Sequence, residues 1–196
     1  MSQTARLSMT LEAFESWQST QDKWFEFVDG VPLGMVGARR NHDRIVMNAA
    51  RDLGTQLRGR ACQPFSEAVG VRIPGGNIRR PDLGVDCGLF DPQATSTATP
   101  SLVIEVLPPS TRGFDQARKL EEYKTIESLQ YILLVDTEAP EVLLWQRAPG
   151  RSWQFSAVAG LDAVIVFPAL DAALPLSALY EGLTFRAPPH LVQDEP

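Results

Sequence analysis

The chain has 196 residues, enough for one domain with a full hydrophobic core. Its 44% hydrophobic content is ordinary for a globular protein, and no apolar run reaches the ~18 residues a bilayer-spanning helix needs. A net charge of -6 excludes a protein that coats nucleic acid by bulk electrostatics.

Residues 1–8 read as a loose tail without an apolar signal core, so the cytoplasm is the default expectation. Thr10 is placed to cap a short helix whose apolar face is Leu11, Phe14 and Trp17. WFEFVDGVPLGMV reads as a hairpin about Asp29-Gly30, a two-residue turn signal. Glu26 lies between Phe25 and Phe27, so period-two alternation puts it on the face opposite both. From Asn41 the pattern is helical: Asn41 as cap, then Ile45, Asn48/Ala49, Asp52/Leu53 and Leu57, with Gly59 as terminator.

Two strands are expected next, Pro64 to Ile73 and Ile78 to Leu89, joined at Pro74-Gly75-Gly76. Asp91 to Pro100 reads as loop. Ser101 to Leu107 is a β-branched apolar run, a central strand interrupted by Glu105. Pro108-Pro109 stops it, and Ser110-Thr111 caps a helix to about Ser128 with Phe114, Leu120, Tyr123 and Ile126 on its apolar face. Gln130 to Asp136 is a further buried strand. Glu141–Arg147 and Ser152–Val158 form a hairpin across Pro149-Gly150, Ala163–Phe167 is a last strand, and Pro175–Leu183 a short helix. The tail from Arg186 is proline-rich and polar, which leaves one domain over residues 9–185 between tails at 1–8 and 186–196.

Charge is unevenly spread. Residues 39–80 carry nine of the 18 basic residues (Arg39, Arg40, Arg44, Arg51, Arg58, Arg60, Arg72, Arg79 and Arg80) against Asp43, Asp52 and Glu67. A basic surface on an acidic body suits a protein that grips a polyanion at one place; solvated or paired arginines are the plain alternative. Cys62 and Cys87 have no metal-ligand spacing and are expected as free thiols in a reducing compartment.

The element order implies an α/β fold. Three strands are antiparallel neighbours, and a helical crossover leads to the fourth. Within this frame Asp82 and Glu105 are anomalous, because a carboxylate on a buried strand must be paired or metal-bound. If their strands are adjacent, the two acids converge. A divalent cation, Mg²⁺ or Mn²⁺ in its place, would then offset their repulsion, activate water and polarise a phosphate. Lys119 on the following helix would supply positive charge near the attacking water.

RRPDLGV followed by LVIEVLPPSTRGFDQARKLEEYKTIESLQYILLVD resembles the PD-(D/E)XK nuclease superfamily, and more closely a bacterial family of uncharacterised restriction-endonuclease-like proteins. The matching positions are Glu26 in FEFVDG, His42 in NHDRIV, Pro81-Asp82, Glu105 through Thr111, and Asp115, Lys119 and Tyr123. The resemblance spans roughly residues 9–185. It implies a restriction-endonuclease-like αβββαβ core, a central mixed β-sheet flanked by helices, with an N-terminal helix and hairpin and C-terminal strands added. It further implies a Mg²⁺-dependent endonuclease acting on DNA. Asp82 and Glu105 would be its metal ligands, Lys119 and Glu26 its further catalytic residues, and a homodimer without membrane attachment its assembly. The chain departs from the superfamily's usual lysine two residues after the acid, where it has Leu107; the helical Lys119 takes that role.

Plainer readings stand beside these. Asp82 could be a turn aspartate, Lys119 an i,i+4 helix contact, and Glu26 a solvent-facing strand residue. His42 is either a surface residue or a phosphate contact, and Arg79 and Arg80 are either phosphate contacts or a solvated strand end. Asp115 more simply orients Lys119 or the helix start than binds metal. An inactive nuclease fold that binds DNA or protein is the competing function. A small-molecule hydrolase lacks any motif: there is no glycine-rich phosphate loop and no GxSxG.

Overall fold

Local sequence signals set most elements of the computed structural model, which describes residues 8–35, 37, 39–107 and 114–185, without the side chains of 114 and 115. The expected tails beyond these limits, the Ser110-Thr111 cap and the Asp115 side chain lie outside the described residues. Thr10 Oγ1 accepts a hydrogen bond from the Ala13 amide at 3.1 Å and starts α1 (Leu11–Gln18). β1 (Phe25–Val28) and β2 (Val31–Gly34) form the expected hairpin. Asp29 and Gly30 both take positive φ, 50° and 80°, the mirror-image turn that matches strand twist.

α2 (Arg40–Gln56) starts earlier than expected. Its cap position is Arg39, whose carbonyl accepts from the Asp43 amide at 3.1 Å, so Asn41 sits inside the first turn and does not cap. Ile45, Asn48, Ala49 and Leu53 face inward. Asn48 Nδ2 donates to the Leu179 and Glu181 carbonyls, 3.0 Å each, so its buried amide is satisfied.

The two long strands expected after α2 are each split between sheets. β3 (Gln63–Ser66) pairs with β6 (Leu83–Asp86), while β4 (Gly70–Arg72) pairs with β5 (Ile78–Arg79) in another sheet. The ribbon bends at 67–69 and 80–82. Pro81 has no amide to give a ladder, and the buried Arg80 guanidinium holds the facing bend by donating to the Glu67 and Ala68 carbonyls at 2.9 and 2.8 Å. β7 (Ser96–Thr97) lies parallel to β4 within the segment expected to be loop throughout.

β8 (Pro100–Leu107) leads through α3 (Phe114–Lys124) to β9 (Tyr131–Asp136), and the two strands are parallel, as a helical crossover requires. α3 ends at Lys124, short of the expected Ser128, where the Thr125 and Ile126 amides turn back to the Glu122 and Tyr123 carbonyls. β10 (Glu141–Arg147) and β11 (Trp153–Ala159) make the expected hairpin. β12 (Val164–Phe167) pairs with β13 (Ala172–Pro175), a strand not anticipated, and α4 (Leu176–Leu179) covers less than the expected helix.

The central sheet runs β11-β10-β9-β8-β6-β3 and a second sheet β2-β1-β5-β4-β7. Read through the central sheet, α2-β3-β6-β8-α3-β9 is the expected αβββαβ core. Alternation along β8 divides two apolar clusters. Leu102, Ile104 and Val106 pack with α2, whereas Val103 packs with Tyr123, Ile126 and Leu129.

Cys62 and Cys87 form a disulfide, which corrects the expectation of free thiols and removes that argument for a reducing compartment. The cause is register: Gln63 pairs with Asp86, so the next residues outward, Cys62 and Cys87, face each other. No helix among the described residues is long and apolar enough to cross a membrane.

Candidate functional site

Register also explains why the two acids meet. β6 and β8 are antiparallel with Leu83 opposite Ile104, and one further step places Asp82 opposite Glu105. Glu105 shares a face with Val103, the side covered by α3, and so comes under Lys119 and Tyr123. Gly84 in the same ladder leaves room for Phe65, whose ring would lie 2.2 Å from an added Cβ.

Lys119 Nζ sits 2.8 Å from Glu105 Oε1 and 2.9 Å from Glu26 Oε1, joining strands of the two sheets. Tyr123 donates its hydroxyl hydrogen to Glu105 Oε1 at 2.7 Å. Asp82 Oδ2 accepts from the Val106 amide at 2.7 Å, and Asp82 Oδ1 lies 3.1 Å from His42 Nε2. The structure thus brings Asp82, Glu105, Lys119 and Glu26 into one cluster and adds His42 and Tyr123 to it.

Burial drives the electrostatics. Desolvation pushes the Glu105 carboxyl up to about 7, against the pull of Lys119, and Asp82 nearby adds to the rise. Burial lowers the Lys119 pKa, but Glu105 and then Glu26 reverse this and hold it above the ordinary lysine value. For Glu26 desolvation raises the pKa, yet Lys119, the Arg80 amide and Arg79 leave it below the ordinary value. The hydrogen bond to Asp82 raises His42 despite partial burial.

The flanking arginines are neither phosphate contacts nor a solvated strand end. Arg79 and Arg80 are 0% and 3% exposed. Arg79 lies between Glu26 and Glu122, with Nη1 2.9 Å from Glu26 Oε2 and Nε 2.6 Å from Glu122 Oε2. Arg80 Nε donates to the Phe25 carbonyl at 2.9 Å, and its guanidinium stacks 4.5 Å from the Trp24 ring. Glu122 is a residue that sequence reasoning missed. Its only local sign is the i,i+4 spacing to Arg118, with which it pairs at 2.9 Å.

Two carboxylates offering oxygen donors suit a hard cation that takes its remaining ligands from water and phosphate. A divalent ion would also stabilise the buried Glu105 anion that desolvation disfavours. Among the described residues no group of three or more His, Cys, Asp and Glu could hold a metal ion, so Asp82 and Glu105 are the protein ligands that these residues offer it. Lys119 and His42 now occupy one oxygen of each acid.

Comparison with known proteins fits this geometry. An uncharacterized protein of Synechocystis sp. (slr1290) is 27% identical over 176 residues, covering 89% of this chain and 92% of that protein. A second from the same organism (sll1609) is 31% identical over 146 residues, covering 72% and 82%. A crystal structure described as "a putative nuclease belonging to DUF820" from Anabaena variabilis superposes with a TM-score of 0.69 at 18% identity, covering 88% of this chain and 97% of that one. That likeness bears out the expected restriction-endonuclease-like fold. The Uma2 family model, described as "Putative restriction endonuclease", matches residues 11–178, and this chain belongs to that family.

Proposed function

We propose that the protein is a Mg²⁺-dependent endonuclease that hydrolyses DNA phosphodiester bonds, with Mn²⁺ able to substitute. The observation that carries this reading is the meeting of Asp82 and Glu105 beneath the Lys119 amine. The family's description and the Anabaena structural neighbour, itself described as "a putative nuclease", support nuclease chemistry. The chemistry supplied by a metal held at Asp82 and Glu105 is activation of a water and neutralisation of phosphate charge.

The chain's own residues prepare that step. Lys119 keeps its proton, so it supplies positive charge and hydrogen bonds, and that charge faces the negative charge growing on the phosphate. Glu26, fixed by Arg79 and the Arg80 amide, holds the amine in place. Tyr123 and the Val106 amide orient Glu105 and Asp82. Duplex cleavage needs two sites, so a homodimer belongs to this reading, as does a cytoplasmic location.

The test is nicking of supercoiled DNA with Mg²⁺ or Mn²⁺, compared with EDTA. Loss of nicking in Asp82→Ala and Glu105→Ala is expected; undiminished cleavage in both would sink the assignment. A second reading, an inactive binding module, is favoured by Lys119 and His42 occupying the acids and by the lack of a third ligand among the described residues. It predicts no calorimetric heat on adding either metal and no turnover.

A further inference from the structure

α2 carries a line of arginines that the cluster at Asp82 does not use. At about 100° per residue, Arg40, Arg44 and Arg51 fall within about 40° of one another on the helix surface, and Arg58 follows on the turn beyond. All four are exposed. The residues facing the core, Ile45, Ala49 and Leu53, project from the other side of the helix. Neither acid of the helix interrupts the line: Asp43 lies to one side, and Asp52 lies on the other, where it accepts from Gln56 Nε2 at 2.8 Å. Arg51 pairs with the exposed Glu181, whereas Arg40, Arg44 and Arg58 make no ion pair among the described residues.

His42, two residues beyond Arg40, projects from the opposite, core-facing side of the helix, where it contacts Asp82. From Arg40 to Arg51 it runs about 17 Å, roughly the length of five base pairs. Such a row matches a straight, regularly charged polyanion. It does not suit a lipid surface, because the apolar side of α2 is already committed to the core and Met47 is the exposed large hydrophobic on this helix. On a chain of net charge -6, a single basic line would also set the direction of approach.

We propose that the outer face of α2, on the side of the helix away from the acids at Asp82 and Glu105, is the rail on which the phosphate backbone of duplex DNA lies. This rests on the phosphodiesterase reading above. The test is binding of a fluorescent DNA duplex in EDTA across a salt series, for wild type, for Arg40→Ala/Arg44→Ala/Arg58→Ala, and for Arg151→Ala as a distant exposed control. Three lost phosphate contacts make the slope of log K against log salt shallower by about 2.7. The wild-type advantage therefore shrinks about 40-fold between about 50 and about 200 mM salt. Lysine at the three positions restores most of the binding, and Arg151→Ala matches wild type.

An unchanged slope in the triple alanine variant, an equal loss in Arg151→Ala, or no DNA binding by wild type would overturn the rail. So would binding of acidic peptides or anionic vesicles in preference to DNA. If wild type cleaves DNA while the triple variant binds it normally, the rail alone fails. If the triple variant loses binding but wild type shows no metal-dependent cleavage, the nuclease reading fails and the rail stands.

Discussion

Glu105→Gln isolates the energetic cost of a buried carboxylate at the centre of the site. The residue is 6% exposed, and desolvation lifts its carboxyl from the ordinary 4.5 to about 7. A raised acid pKa means the folded state holds the proton more tightly than the unfolded chain. Its contribution is therefore favourable at low pH and is lost as pH rises from the ordinary value through about 7. Full ionisation costs about 3 kcal/mol, and most of this falls between about pH 5 and about pH 8. Glutamine keeps an oxygen for Tyr123 and Lys119 but never ionises. The stability gap between Glu105→Gln and wild type should therefore move in the variant's favour by about 2–3 kcal/mol over that range, or about 5–10 °C in melting temperature. Urea unfolding at the two pH values reads this directly. A gap that does not change with pH, or that moves in favour of wild type as pH rises, would refute the claim that burial outweighs Lys119 at this carboxylate.

Lys119→Met leaves Glu26 and Glu105 buried without their shared amine, a loss of about 3–5 kcal/mol in denaturant unfolding; adding Glu105→Gln recovers part of it. His42 is raised above 6.5 by Asp82, so the stability it adds is full below that value and is lost as pH rises through its folded pKa. Replacing Asp82 by Asn returns the imidazole toward 6.5, which an NMR titration of His42 would show. Cys62→Ser opens a crosslink of sequence separation 25, costing about 3.5 kcal/mol by loop entropy, and a thiol assay of unfolded wild type should detect no free cysteine.

Much of this molecule follows from short-range rules. Thr10, Asp29-Gly30 and the periodicity of α2 act through neighbours a few residues away, so their elements are legible one segment at a time. Glu105 inside an apolar strand is legible for a different reason: its cost within any buried strand signals a partner. The partner itself is not written locally. Lys119 meets Glu105 because parallel pairing of β8 and β9 carries α3 across that face of the sheet. Arg79 and Arg80 resemble surface arginines in any window of sequence, yet the bend of the β4–β5 ribbon into a second sheet buries both, and Glu26, Glu122 and backbone carbonyls satisfy them. The Cys62–Cys87 bridge and the His42–Asp82 contact likewise depend on strand register and helix placement, which long-range packing settles and residue spacing along the chain does not.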